Sequence, residues 1–138
     1  MNSQKLITGG IVGGIALFLL GWVFFGILLK DFFADNGSPA SANMVWWALA
    51  LGNLLLGFLL AYVLSKANIR SAGTGAATGL VVGLLMSAGF NLIRYAVSVE
   101  IIAKKVIAAD VAAITVMWTI AGAIVGWVLG SGKRVAVV

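Results

Sequence analysis

The sequence predicts an all-α integral membrane protein, a four-transmembrane-helix bundle with glycine-rich helix interfaces, forming a single domain over residues 1–138. Three observations point there. Hydrophobic residues fill 62% of the 138 positions and charged residues 9%, with a mean hydropathy of +1.14, whereas soluble domains carry about 25% charge. The apolar residues gather into four continuous runs, at about 7–29, 44–64, 73–93 and 107–129. A hydrocarbon core about 30 Å thick takes roughly 20 helical residues, and each run meets that length. Within the runs, small residues recur at every fourth position. Barrel strands would alternate in polarity over about ten residues, which these runs do not.

The first run follows Lys5 and precedes a small-residue stretch, Ala40-Ser41-Ala42, so a signal peptide is the competing reading. Signal h-regions span about 7–15 residues. This run is longer, and the charged stretch Lys30 to Asp35 separates it from the alanines, so the first helix is expected to be retained. The second run begins after Ser38-Pro39-Ala40-Ser41, which holds the sole proline in a polar turn. The connection from Ser65 to Ala72 is short, and predicts that helices two and three are antiparallel neighbours. Between helices three and four, Arg94 to Asp110 reads in two ways. Val99, Ile102, Val106 and Ile107 recur at helical spacing opposite Glu100, Lys104 and Lys105, which suits a short interfacial helix with a Glu100–Lys104 pair. Alternatively, helices three and four simply extend past the bilayer.

Counting basic residues near the spans sets orientation. Lys5, Lys66, Arg70, Lys133 and Arg134 fall on the side of the termini, and Lys30, Arg94, Lys104 and Lys105 on the other, which favours cytoplasmic termini by a narrow margin. Trp46, Trp47, Tyr62, Tyr95 and Trp127 lie near the run ends, where aromatic belts form. Trp22 and Trp118 lie deeper and read as packing or lipid-facing residues.

Glycine spacing is the most informative pattern. Gly75, Gly79 and Gly83 continue through Ser87 and Asn91 as one ridge; Gly122, Gly126 and Gly130 form another; and Gly9 with Gly13 and Gly10 with Gly14 overlap on helix one. Helix two carries a weaker ridge of Asn53, Gly57 and Ala61. Lipid tails supply no hydrophobic drive for helix association, so small residues four apart let backbones approach and make dispersion contacts. The plain reading is packing within one chain. The sharper one is a seam for a second copy or another membrane protein.

Polar groups within the spans are scarce, and each needs a partner in hydrocarbon. Asn53 and Asn91 read as interhelical hydrogen-bonding groups. Arg94 shares the face of Asn91 and by default snorkels to headgroups; its functional alternative is a pair with Asp110 or Glu100 closing one end of a polar cavity between helices two, three and four.

No catalytic, metal or cofactor site can be assembled. The chain has no histidine and no cysteine, and its four carboxylates, Asp31, Asp35, Glu100 and Asp110, fall outside the predicted spans or at their ends, so neither a triad nor a metal cage is available. Thr8 to Gly14 is glycine-rich, but it follows no strand and lacks the phosphate-binding lysine of a P-loop. The net charge of +5 is spread over all connections, which suits lipid headgroups rather than nucleic acid.

Leu20-Gly21-Trp22-Val23-Phe24-Phe25-Gly26 with Leu29-Lys30, and Ala121-Gly122-Ala123-Ile124-Val125-Gly126, resemble the small bacterial membrane proteins catalogued as domain of unknown function 1761. The resemblance implies four helices and a bacterial inner membrane, and no mechanism. The expected function is therefore a non-enzymatic structural or interaction component, as a homo-oligomer or an accessory subunit whose glycine ridges are contact surfaces. The alternative is a small channel or transporter with a polar path near Asn53, Asn91 and Arg94.

Overall fold

A computed structural model describes residues 2–99 and 101–131. Helix α1 (Ser3–Val23) starts on Asn2, whose side-chain oxygen accepts from the Gln4 and Lys5 amides at 3.0 and 3.4 Å, covering two of the amides a helix start leaves unpaired. It runs on into a π-helical turn, Phe24–Leu28, marked by the bond from Leu29 N to Phe24 O at 2.8 Å. The short α2 (Lys30–Asp35) follows, then α3 (Trp46–Lys66), α4 (Ala72–Val97) and α5 (Lys104–Gly130). Four helices are long and apolar enough to cross a membrane, with α1 and its π turn acting as one of 26 residues. Their bounds lie within four residues of the predicted runs at every end.

Three features of the layout that the sequence leaves open or places otherwise have physical causes. The segment Lys30 to Asp35, read from sequence only as a charged stretch, is helical: the Phe33 ring packs back on Phe25 with centroids 5.5 Å apart, anchoring α2 on the turn before it. It ends in a Schellman arrangement, with Ser38 N bonded to Phe33 O at 2.7 Å and Gly37 at φ 81°, a conformation glycine adopts without a Cβ clash. Secondly, α4 continues to Val97 and α5 begins at Lys104, so among the described residues there is no separate interfacial helix. The spanning helices extend instead; Glu100, and with it the Glu100–Lys104 and Glu100–Arg94 pairs, lies outside the described residues, as do Lys133 and Arg134.

Thirdly, α3 and α4 make almost no contact despite their short connection. The intimate pairs are α1 with α3 and α4 with α5, and α1 packs on α5 to join them. The connection Ala67–Ser71 reaches about 17 Å when extended, enough for the roughly 14 Å diagonal of helices packed 8–10 Å apart. Loop length permits adjacency without requiring it, and complementary ridges decide it. Asn68, the second residue of this connection, sits at φ 57°, a left-handed cap that asparagine tolerates.

The seams explain the pairing. A methyl on Gly75 would overlap the Gly122 carbonyl oxygen and lie 3.0 Å from Gly126 Cα; on Gly79 it would overlap the Trp118 carbonyl oxygen; on Gly83 it would lie 2.5 Å from Trp118 Cβ. From the opposite side, Gly122 meets the Gly75 backbone, Gly126 the Ser71 and Gly75 backbones, and Gly130 that of Arg70. In the other pair, Gly57 sits 2.6 Å from Gly14 Cα by the same measure, Gly14 lies 2.8 Å from Leu54 Cα, and Gly10 faces the Phe58 ring. Gly13 faces Val125 of α5 at 2.9 Å, and Gly9 is in ordinary contact at 3.4 Å with Ala61 and Leu129. Around these seams Leu17, Leu60, Leu64, Ala121 and Val125 form the core.

The polarity of α1 is that of a lipid-solvated helix. Its glycines 9, 10, 13 and 14 are buried while Ile7, Ile11, Ile15 and Leu19 are exposed, the reverse of a helix in water. At one end of the bundle Lys5 Nζ donates to the Leu129 carbonyl at 3.3 Å, placing a cation on the negative end of α5.

Candidate functional site

The polar residues singled out from sequence converge. Asn53, Ser87, Asn91, Arg94 and Asp110 all line one cavity of about 660 Å³ between the four long helices, within the roughly 300–1,000 Å³ typical of small-molecule sites. Its lining comes from the C-terminal halves of α1 and α4 and the N-terminal halves of α3 and α5, so it occupies one half of the bundle. The opposite end has a recess of about 30 Å³ beside Lys5, Asn68 and Arg70, room for a water or two at about 10–15 Å³ each.

Ser87 and Asn91 continue the α4 glycine ridge past Gly83 and are 4% and 5% exposed. Ser87 Oγ donates to the Gly83 carbonyl at 2.6 Å, the back-bond that lets a hydroxyl sit inside an apolar helix face. Asn91 Nδ2 donates to the Ser87 carbonyl at 2.9 Å and to Asp110 Oδ2 at 2.6 Å. The second bond joins α4 to α5 and, with a carboxylate acceptor, belongs to the stronger charge-assisted kind. Asn91 Oδ1, by contrast, is buried with no hydrogen-bond partner. An amide flip would set that oxygen against two acceptors, so the hydrogen-bond network fixes the orientation. Asn53 is half-buried, and its Nδ2 turns back to the Leu49 carbonyl at 2.8 Å.

Arg94 lines the cavity with Asp110, but the partner of Asp110 is Asn91, and no Arg94–Asp110 hydrogen bond forms among the described residues. Both also border an adjoining recess of about 210 Å³, together with Lys30 and Phe33. Lys30 is a functional candidate that sequence reasoning missed. In the sequence it stands in a charged connection, and only the π turn and α2 bring it back over the bundle; a basic residue one helical turn past a Gly-aromatic-Gly step is the signal available for it.

The cavity wall is apolar and aromatic. Trp118, buried at 4%, forms its floor with Leu17 and Met117; Phe18, Trp22 and Phe25 line the α1 side and Phe90 the α4 side. Trp22 and Trp118, which sequence alone suggests are packing or lipid-facing, therefore border the chamber, as does Trp46. The seam glycines of both pairs lie between helices of this chain and outside the chamber.

The arrangement can hold an amphipathic molecule: an apolar body along the aromatic wall and a polar head among Asn91, Asp110, Arg94 and Lys30. Comparison with known proteins yields no matching family model, no matching curated protein and no matching solved structure, so the reading rests on this geometry.

Proposed function

We propose that this multi-pass membrane protein binds a small amphipathic molecule in a one-ended chamber within the bilayer. The observation that carries the reading is the convergence of Asn53, Ser87, Asn91, Arg94 and Asp110 on one cavity of about 660 Å³. Ridges offered by the sequence as surfaces for a second copy or a partner are occupied between the chain's own helices, and no longer argue for an oligomeric or accessory role. A through-channel in one copy lacks support for a related reason: backbones meet at the seam end, where the recess is about 30 Å³, while conduction needs a continuous polar lining.

We take the membrane to be a bacterial inner membrane with both termini cytoplasmic, so that the mouth near Lys30 and Arg94 faces outward. The basic-residue count supports the orientation, and the family resemblance supports the membrane. Gly21, Trp22, Phe25 and Gly26, which carry part of that resemblance, line the chamber. The chain acts by binding, not by catalysis.

The test uses Trp118 as a reporter. With Trp22, Trp46, Trp47 and Trp127 replaced by phenylalanine, dibromostearic acid added to bilayer-embedded protein should quench Trp118 saturably, and stearic acid should reverse the quenching. A companion variant retaining only Trp127, which is 64% exposed, should show unsaturable quenching through the bilayer. The same unsaturable response from Trp118 would overturn the chamber.

A further inference from the structure

Resting on the chamber reading, we infer that the chamber is entered sideways, between α3 and α4, and that its occupant is a single hydrocarbon chain of a lipid from the surrounding leaflet. Three helix pairs close the other walls. The α1–α3 and α4–α5 pairs meet backbone to backbone along their seams, and a methyl on Gly21 of α1 would lie 3.5 Å from Met117 Cε of α5. At chamber depth the Asn91–Asp110 bond still joins α4 to α5. No comparable contact joins α3 to α4, which barely touch, although Leu49, Asn53 and Leu56 of the one and Met86 and Phe90 of the other border the same chamber.

Exposure rises across the chamber toward that gap. Leu17, Met117 and Trp118, on α1 and α5, are 1%, 6% and 4% exposed, whereas Leu49, Leu56 and Phe90 are 42%, 36% and 66% exposed. Side chains that border a cavity and also face outward mark the rim of its opening. Trp22 of α1 is exposed as well, but it continues the Gly10 and Gly14 ridge at the same spacing. Since Gly10 meets Phe58 and Gly14 meets Leu54, that ridge runs toward the first turn of α3, and Trp22 belongs to the mouth with Trp46 and Lys30.

The gap sits at hydrocarbon depth. At a rise of about 1.5 Å per residue, Asn53 and Leu56 stand about 10 and 15 Å from the start of α3, and Phe90 and Met86 about 10 and 16 Å from the end of α4. Both of those helix ends lie on the side of the mouth. Against a hydrocarbon core about 30 Å thick, the gap reaches from near the surface to the middle of the bilayer, the depth of one leaflet. Its rims are apolar except for Asn53, whose Nδ2 is turned back to the Leu49 carbonyl at 2.8 Å. Water finds no hydrogen-bonding surroundings there, whereas a lipid chain already lies alongside, against the exposed Leu55 and Leu85 next to the rim residues. Behind the rims, Trp118, Met117, Leu17 and Phe18 offer the chain an apolar wall. The water-facing end instead carries Lys30, Arg94 and Asp110, which a chain arriving from water has to pass.

Bromine quenching of Trp118 decides the route, in the bilayer-embedded protein that keeps this tryptophan alone. A phosphatidylcholine with one dibromostearoyl chain, mixed into the bilayer, should quench the buried Trp118 to a plateau as its share of the lipid rises. Leu56→Cys/Met86→Cys, introduced into the same protein, which has no native cysteine, allows a bifunctional methanethiosulfonate to bridge α3 and α4 in detergent before reconstitution. The bridged protein should lose the phospholipid quenching, and reductant, which opens the bridge, should restore it. Lipid on the outer surface is the same in both states, so the difference reads the chamber alone. Saturable quenching by dibromostearic acid with none by the phospholipid would keep the chamber and overturn entry by a bilayer chain. Phospholipid quenching that survives bridging would overturn the gap between α3 and α4 as the route. Bridges formed between two copies instead of within one would assign the gap to a second copy and overturn the lipid chain as its occupant. No saturable quenching by either probe would overturn the chamber itself. The phospholipid arm needs no cysteine pair and reads out however that pair folds.

Discussion

Replacing Gly79 by alanine tests whether the α4–α5 seam holds the bundle together. A methyl at Gly79 would overlap the Trp118 carbonyl oxygen, with Trp118 C at 3.0 Å and Gly122 Cα at 3.1 Å. The obstructing atoms are backbone, so no rotamer change clears them and the two helices must part. Overpacking costs about 1–3 kcal/mol, and a backbone obstruction belongs at the top of that range. Alanine returns about 1 kcal/mol through its better helix propensity. The net loss is then about 2 kcal/mol, roughly a thirtyfold change in the folding equilibrium. Gly89, on the same helix, has nothing within 4 Å of the corresponding methyl, so Gly89→Ala carries the propensity term alone and should be neutral or stabilising by up to about 1 kcal/mol. Reversible unfolding in mixed micelles, followed by helical circular dichroism as the denaturing detergent fraction rises, measures both. If Gly79→Ala is as stable as Gly89→Ala, the seam is not a close backbone contact and the account of the pairing fails.

A double-mutant cycle on Asn91→Leu and Asp110→Leu should give a coupling of about 1.5–3 kcal/mol, the range for a hydrogen bond to a charged group; a value near the membrane-protein average of about 0.6 kcal/mol would mean that the 2.6 Å contact is no stronger than an ordinary interhelical bond. Ser71 caps α4 by accepting from Thr74 N at 3.3 Å, so Ser71→Ala should lower stability by about 1 kcal/mol in the same unfolding assay, and an unchanged midpoint would discount the cap. Since the chain has no native cysteine, Asn68→Cys and Ser98→Cys should react with a membrane-impermeant maleimide from opposite sides of sealed vesicles, Ser98→Cys from outside cells. Labelling of both from one side would break the four-span topology.

The glycine ridges were legible because spacing alone puts residues 75, 79 and 83 on one line of a helix. Which ridge they meet was not: Gly57, on the weaker ridge of helix two, turns out to face Gly14 and Gly10, and helix three pairs with helix four while leaving helix two, to which its shorter connection joins it, almost untouched. Polar candidates were equally legible, since Asn53, Asn91, Arg94 and Asp110 are conspicuous among apolar neighbours. Their convergence depends on the angular position of four helices at once, which no single helix's pattern contains. The π turn at Phe24–Leu28 carried no signal because nothing breaks the apolar run there. Its effect is large nonetheless, since it carries Phe25 and Gly26 onto the chamber wall and sets Lys30 at the mouth.

One ridge produces both halves of the molecule. Along α4 the glycines at 75, 79 and 83 give way to Ser87 and Asn91, while along the facing stretch of α5 the chain passes from Gly126 and Gly122 to Trp118, Ile114 and Asp110. Where small residues oppose one another, backbones touch and water or lipid is excluded. At Trp118 the opposition changes character, because its side chain fills the space that Gly83 leaves, with Cβ and Cγ 2.5 and 2.9 Å from where a methyl on that glycine would be. Gly83 thus makes room for the Trp118 side chain at the junction. Beyond it no glycine continues the α4 ridge, and the Asn91–Asp110 bond joins α4 to α5 beside the cavity. The glycine end fixes the crossing of the two helices by backbone contact, and the polar bond ties them together at the cavity end.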